Sequence, residues 1–394
     1  MDDCCQQTPL FTFGVIADIQ YADIDDGFNY SKTRKRYYRS SLELLRNARE
    51  SWSESAVKPQ FILQLGDIID GFNKEHNASQ QALDSVLREL SSSPVEVHHV
   101  WGNHEFYNFS RSVLLRSKLN STLHVDRSFT GAQAGGEIYA YHFSPFPGFR
   151  FVVLDAYDVS LLGREESSEQ YATALKLIKL YNSNEDLNCP PGKAVAEGGL
   201  RERIPELGAH GVEGPASQSG QFGVWDGEEV AVGGSERVRS QEFTEVNRSQ
   251  VMEGFEVRWS LEQRFTKFNG GFSKDQLDWL DSVLSSADEK GEKVTIVSHL
   301  PVHPDSTDPI CLAWNHDELL DIIRSHFSVV CFMAGHDHDG GYTRDKQTGV
   351  HHLTLEGVIE TPPCSNAFGT VSVYEDRMVL KGKGRITDRV FLFP

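Results

Sequence analysis

The chain has 394 residues, 24% of them charged and 39% hydrophobic, which is the composition of an ordinary soluble globular protein with one large core or two modest ones. Its 57 acidic against 38 basic side chains give a formal charge of −19, which argues against non-specific binding to nucleic acid or an anionic membrane, because both need a basic surface to displace counterions. An anionic ligand would therefore need a local offset to that field, and a metal cluster would supply one.

The opening stretch "MDDCCQQTPL" is acidic and polar and has no apolar run, so no secretory signal is expected, and no segment approaches the roughly 18 apolar residues of a membrane helix. Cys4, Cys5, Cys189, Cys311, Cys331 and Cys364 are scattered, as reduced thiols are in a cytoplasmic protein. The sequon at Asn247 is then expected to be idle.

Short apolar, β-branched runs begin at Phe11 (FTFGVIA), Phe61 (FILQL), Val95 (VEVHHV), Phe149 (FRFVVLD), Lys293 (KVTIVS) and Val329 (VVCFMA). Runs of this length that end in Gly, Asn or Asp predict strands buried on both faces. Between them, Tyr38, Leu42, Leu45 and Trp52 recur at helical spacing within 31–52. Ser273 caps a helical pattern carrying Leu277, Leu280 and Leu284, and "NHDELLDIIRSHF" repeats the arrangement before Val329. Alternating strands and helices predict an α/β protein. The final stretch, "HHLTLE", "GTVSVY" and "RMVLKG", reads as a meander of strands. Residues 193–258 hold about a third of the glycines in a sixth of the length, without periodicity. They are expected to be a flexible insertion, with at most a brief hairpin at "FGVWDGEEVAVGG", in a single domain made of 1–192 and 259–394.

The chemistry concentrates where the strands end. "GHDHDGG" (335–341) follows one of them, and its candidate partners follow others: Asp18 and Gln20 in "ADIQYAD", Asp67 and Asp70 in "GDIIDG", Asn103 and His104 in "GNHE", and His299 in "SHLPVHP". In an open α/β sheet, ligands bind at the carboxyl ends of the strands, so five such ends are expected to converge. Two divalent cations about 3.5–4 Å apart need a bridging carboxylate and neutral N and O donors, and this set contains both. Water held by such a pair becomes a nucleophile near neutral pH.

In this order, the D-x-[HQ], GDxxD, GNHE, lone His and GHxH motifs resemble those of the calcineurin-like metallophosphoesterases, over about 320 residues that omit the glycine-rich segment. The resemblance implies a four-layer α/β/β/α sandwich. It also implies a first metal on Asp18, Gln20 and His338, a second on Asn103, His299 and His336, and Asp67 as the bridge. By the same pattern His104 faces the scissile phosphate, and Asp70 is expected to hold its ring in one tautomer and favour the imidazolium.

Gln20 departs from the commoner His. A carboxamide oxygen is a harder, weaker donor than imidazole and favours Mn²⁺ or Mg²⁺ over Zn²⁺. Together with "FGVIADIQYADIDDGFNY", "WGNHEFYN", "FNGGFS", "CLAWNH", "GHDHDGGY" and "LEGVIETPP", it makes the chain similar to the manganese-dependent ADP-ribose/CDP-alcohol diphosphatases. That similarity implies hydrolysis of ADP-ribose, CDP-choline and related nucleoside diphosphate derivatives to a nucleoside monophosphate and a phosphorylated product. A dimetal centre also serves phosphomonoesters and cyclic nucleotides, and a non-catalytic module on the same scaffold is a third reading, one that would have no use for His104. Phe28, Tyr30 and Tyr107 are candidates for stacking on the base, Arg34 or Arg36 for a phosphate, and Cys311 for the pocket lining. No heptad or apolar stripe calls for a partner chain, so a monomer is expected.

Overall fold

The computed structural model describes residues 8–29, 32–92, 95–123, 138–192 and 261–394. The expected insertion at 193–258 and its hairpin, Cys4, Cys5, Asn247 and Tyr30 lie outside these residues.

Each predicted apolar run forms a strand. One six-stranded sheet has the order Arg389–Leu392, Arg377–Gly384, Ala367–Val373, Phe11–Ile16, Phe61–Gln64, Glu96–His99. The second has the order Gly341–Arg344, His351–Thr354, Val329–Ala334, Lys293–Val297, Phe149–Val153, Tyr141–Phe146. Phe11–Ile16 and Val329–Ala334 are buried at every position, as strands covered on both faces must be.

Aromatic side chains join the sheets. Phe13 stacks on Phe61 within one sheet, with centroids 5.2 Å apart, and meets Phe151 of the other edge-on, also at 5.2 Å. Helices cover the outer faces. Trp52, on the helix Ser40–Glu54, packs on Phe368 and donates its indole N–H to the Gly369 carbonyl at 3.2 Å, against the first sheet. The helix Lys274–Lys290 packs on the strand Lys293–Val297 of the second sheet and on the helix His316–Ser325, and both helices bury an apolar stripe. Ser273 caps the former as predicted, its hydroxyl accepting from Gln276 N–H. The expected α/β/β/α sandwich is thus present.

Two sequence expectations need correction. The helix read over 31–52 begins only at Ser40, because Lys35–Arg36 pairs antiparallel with Gly27–Phe28 in a small ribbon. The basic run is held there by tertiary partners: Tyr37 N–H donates to the Ile359 carbonyl at 2.9 Å, and Arg36 reaches Glu360 and Asp70. Second, His351–Thr354 is not part of the C-terminal meander. It pairs parallel with Val329–Ala334 in the second sheet, whereas Ala367–Val373 pairs antiparallel with Phe11–Ile16 in the first.

The parallel pairings position the site. Phe11–Ile16, Phe61–Gln64 and Glu96–His99 run parallel to one another, as do Lys293–Val297 and Val329–Ala334. Their carboxyl ends therefore fall on a shared rim, and the loops there hydrogen-bond to each other. Asp18 N–H donates to Gly66 O at 3.2 Å, Gln20 N–H to Asp67 O at 2.9 Å, Ile359 N–H to Asp18 O at 3.0 Å and Gly335 N–H to His299 O at 3.1 Å.

Candidate metal centre

Asp18, Gln20, Asp67 and His336 all have positive φ (52°, 43°, 56° and 72°), a region that non-glycine residues seldom occupy. Strain of this kind, of order 1–3 kcal/mol per residue, persists where surrounding structure over-determines it and clusters at functional sites. The glycines beside them make room. At Gly66, with φ 100°, a Cβ would collide with the His299 ring, and at Gly102 it would strike the Asp67 carboxylate and His299 Nε2.

Asp67, His299 and His336 bring one ligand atom each to within 4.8 Å of one another. His299 Nδ1 faces the Leu65 carbonyl at 2.7 Å, so this nitrogen carries the proton and Nε2 is left for the cluster. His336 Nε2 faces Asn269 Oδ1 at 2.8 Å, which frees its Nδ1 in the same way. The two freed nitrogens lie 3.2 Å apart, with Asp67 Oδ2 3.5 Å from His299 Nε2. Lone pairs converging on one point are stabilised only by positive charge between them, whether a proton or a cation. The donor set fits a divalent metal ion.

The second set lies beside it. His338 Nδ1 faces Glu360 Oε1 at 2.9 Å, so Nε2 points inward, 3.4 Å from Asp18 Oδ1 and 3.0 Å from the Gln20 amide. The same amide end is 3.0 Å from Asp67 Oδ2, and Gln20 Oε1 is buried without a hydrogen-bond partner. A buried carboxamide oxygen with no hydrogen-bond partner, on a side chain that reaches this cluster, is a donor that a cation would satisfy. Asp67 thus touches both groups. The structure brings together Asp18, Gln20, Asp67, His299, His336 and His338. Asn103 follows Gly102 at the start of the helix Asn103–Asn108, with Oδ1 accepting from Tyr157 O–H at 3.2 Å.

The electrostatics match this arrangement. Burial opposes charge on His299, but Asp67 beside it prevails and raises its pKa to about 9. His338 is likewise raised to about 9, by Asp18 and Glu360 against burial. His336, buried and next to His299, is driven well below the ordinary value. Burial would raise Asp67, yet His299 and His104 hold it far below the usual carboxylate range.

His104 N–H donates to Asp67 Oδ1 at 2.9 Å, and its ring Nε2 lies 3.8 Å from Asp67 Oδ2. Nδ1 accepts from Gly71 N–H at 2.9 Å, while Asp70 Oδ2 is 3.4 Å away. In the neutral ring it is therefore the Gly71 amide that fixes the tautomer and leaves the proton on Nε2. Asp70, expected to do this, is placed to accept from Nδ1 only in the imidazolium.

Among the remaining candidates, Tyr107 lies edge-on to His104 with centroids 5.1 Å apart, its hydroxyl pushed upward by burial. Phe28 is exposed on the ribbon. Arg34 pairs with Asp339 at 2.5 Å. Burial pushes the Cys311 thiol well up, so it stays protonated beside Asp337 and Asp308.

Sequence reasoning assigned no role to Asn269, Glu360 or Glu105. The first two orient the imidazoles of His336 and His338. Glu105, fully buried, accepts from Asp67 N–H at 2.9 Å, Ile68 N–H at 2.7 Å and Gly102 N–H at 2.6 Å, tying two ligand loops together. Burial and the Asp67 charge push its carboxyl up to about 8, with those three donors pulling the other way. The quoted "FNGGFS", "LEGVIETPP" and "GNHE" contained all three residues.

The calcineurin-like phosphoesterase family model matches residues 11–211. A manganese-dependent ADP-ribose/CDP-alcohol diphosphatase of Danio rerio is 49% identical over 383 residues, covering 97% of this chain and 98% of its own. A protein of the same name from Xenopus tropicalis is 46% identical over 400 residues, covering 100% and 97%. The crystal structure of a dimetal phosphatase from Danio rerio superposes with a TM-score of 0.76 at 49% identity, covering 98% of this chain and 100% of that one.

Proposed function

This chain belongs to the calcineurin-like phosphoesterase family, among the manganese-dependent ADP-ribose/CDP-alcohol diphosphatases, and from that premise we propose that it hydrolyses the diphosphate bond of ADP-ribose, CDP-choline and related CDP-alcohols. The products are a nucleoside monophosphate and a phosphorylated second fragment. The observation that carries this reading is the pair of donor sets meeting at Asp67, each with its imidazole lone pairs turned inward. Asp18, Gln20 and His338 would hold one cation, Asn103, His299 and His336 the other, with Asp67 between them. Two divalent cations, manganese by kinship, supply at this place an activated water and a sink for phosphoryl charge.

The chain's own residues do the rest. Gly71 N–H keeps His104 Nδ1 bare, so that Nε2–H faces the cluster and donates to the departing phosphate oxygen. Asp70 accepts from Nδ1 if the ring becomes an imidazolium. Phe28, Tyr30 and Tyr107 remain the candidates for the base, Arg34 for a phosphate and Cys311 for the pocket lining.

No helix among the described residues is long and apolar enough to cross a membrane. We propose a cytoplasmic monomer acting on small molecules, without nucleic-acid or membrane partners. We propose that 1–192 and 259–394 form one domain, supported by the contacts that tie its two segments together: Lys267 N–H donates to the Leu187 carbonyl at 2.8 Å, and Asn182 Nδ2 to the Phe265 carbonyl at 2.7 Å.

The test is a panel of ADP-ribose, CDP-choline, p-nitrophenyl phosphate and a cyclic nucleotide with Mn²⁺, Mg²⁺ and Zn²⁺. Turnover of the two diphosphates with Mn²⁺ is expected. Turnover confined to the monoester or the cyclic nucleotide would replace this reading with the corresponding phosphatase.

A further inference from the structure

We infer that Arg34 and Arg385 form an anion seat at the metal rim that Asp339 occupies in the free enzyme and from which a substrate's second phosphate displaces it. The inference rests on the diphosphatase reading, since only a substrate with a phosphate beyond the one attacked would use the seat.

Three observations lead there. Asp339 directly follows the ligand His338, and its Oδ1 lies 2.5 Å from Arg34 Nη2 and 3.8 Å from Arg385 Nη2. Arg385 is preset, with Nη2 donating to the His338 carbonyl at 2.8 Å and Nη1 to the Gly357 carbonyl at 3.1 Å. Among the described residues, the Arg34 side chain is held by carboxylates, Asp339 and more distantly Glu360 at 4.0 Å. Two guanidinium groups from distant parts of a chain of charge −19 thus meet one step from a metal ligand.

The Arg34–Asp339 pair is also open to solvent, at 47% and 55% side-chain exposure. Exposed pairs of this kind contribute little to stability, so an arriving anion removes Asp339 at little cost. A phosphate offers guanidinium groups more acceptor oxygens and a higher charge than one carboxylate oxygen does. The seat would meet the phosphate next to the one under attack.

The test compares Arg34→Gln and Asp339→Asn, both at exposed positions, with ADP-ribose and p-nitrophenyl phosphate as substrates. The melting temperature of each variant serves as the check on folding. Losing a charged hydrogen-bond donor is expected to raise the KM for ADP-ribose about 10-fold or more in Arg34→Gln. Removing the competing carboxylate is expected to lower it about two- to fivefold in Asp339→Asn. The ratio of the two substrates' KM values moves with it, because the monoester has no second phosphate. A salt bridge that only braces the rim would shift both variants in one direction and both substrates alike, and that result overturns the inference.

Wild-type enzyme that leaves ADP-ribose untouched but cleaves the monoester would instead sink the diphosphatase reading. The seat is then read from inorganic pyrophosphate inhibition of monoester hydrolysis at fixed free Mn²⁺. Inhibition strengthened by Asp339→Asn and weakened by Arg34→Gln sustains the seat, and any other pattern removes it.

Discussion

Replacing Glu360 with Gln isolates the part played by the groups that hold the metal ligands. Glu360 is nearly buried, accepts from His338 Nδ1–H at 2.9 Å and lies 3.5 Å from Arg36 Nε. Burial alone would raise its carboxyl, yet His338 and the arginines keep it below the ordinary range, so it is a carboxylate at neutral pH. The amide keeps an acceptor in place but removes the charge that makes His338 Nε2 a stronger donor. A charge-assisted hydrogen bond contributes about 1.5–3 kcal/mol, and outer carboxylates of this kind change metal affinity about 10–100-fold.

Asn269 offers His336 a neutral acceptor at 2.8 Å, so Asn269→Ala should cost nearer 1 kcal/mol, or about fivefold. Both are measured by Mn²⁺ titration, calorimetrically and as activation of turnover. Glu360→Gln is expected to shift the Mn²⁺ midpoint by about 10–100-fold, the larger of the two shifts, with most turnover recovered at saturating metal. An unshifted midpoint with turnover lost at every Mn²⁺ concentration would refute the reasoning, because Glu360 would then act on the reaction and not on the ligand.

His299 and His338, both raised to about 9, hold protons that a metal must displace. Mn²⁺ binding at pH 7 is therefore expected to release protons into a weakly buffered solution, and affinity to rise with pH up to about 9. A pH-independent affinity over that range would contradict the assignment.

His98 and His352 are buried and lowered to about 3, chiefly by desolvation, so in the folded state they stay neutral while the unfolded chain takes up protons near pH 6.5. Their contribution is present above that value and is lost as pH falls toward 3. Between pH 7 and 5 each should cost about 2 kcal/mol of stability, read from urea midpoints, and the loss should shrink in His352→Leu. His104→Ala is expected to leave the Mn²⁺ titration near wild type and lower kcat by about 10²–10⁴. Loss of metal binding in that variant would place His104 among the ligands.

The six main strands were legible because continuous burial leaves a continuous apolar run, and the clustered side chains were legible because each motif follows such a strand at once. The ribbon at Lys35–Arg36 was not. A basic run at helical spacing carries no sign that Glu360 and Asp70, far along the chain, will hold it extended. Nor was the parallel pairing of His351–Thr354, since a short strand's own sequence does not name its neighbour.

By itself, then, the sequence determined the layered α/β architecture and which side chains gather at the shared rim, because periodicity and strand-end chemistry are local. Only the tertiary structure decided which atom of each side chain does so. The choice of nitrogen on His299, His336, His338 and His104 is made by single hydrogen bonds from Leu65, Asn269, Glu360 and Gly71, and contacts across such distances in the chain leave no spacing to read.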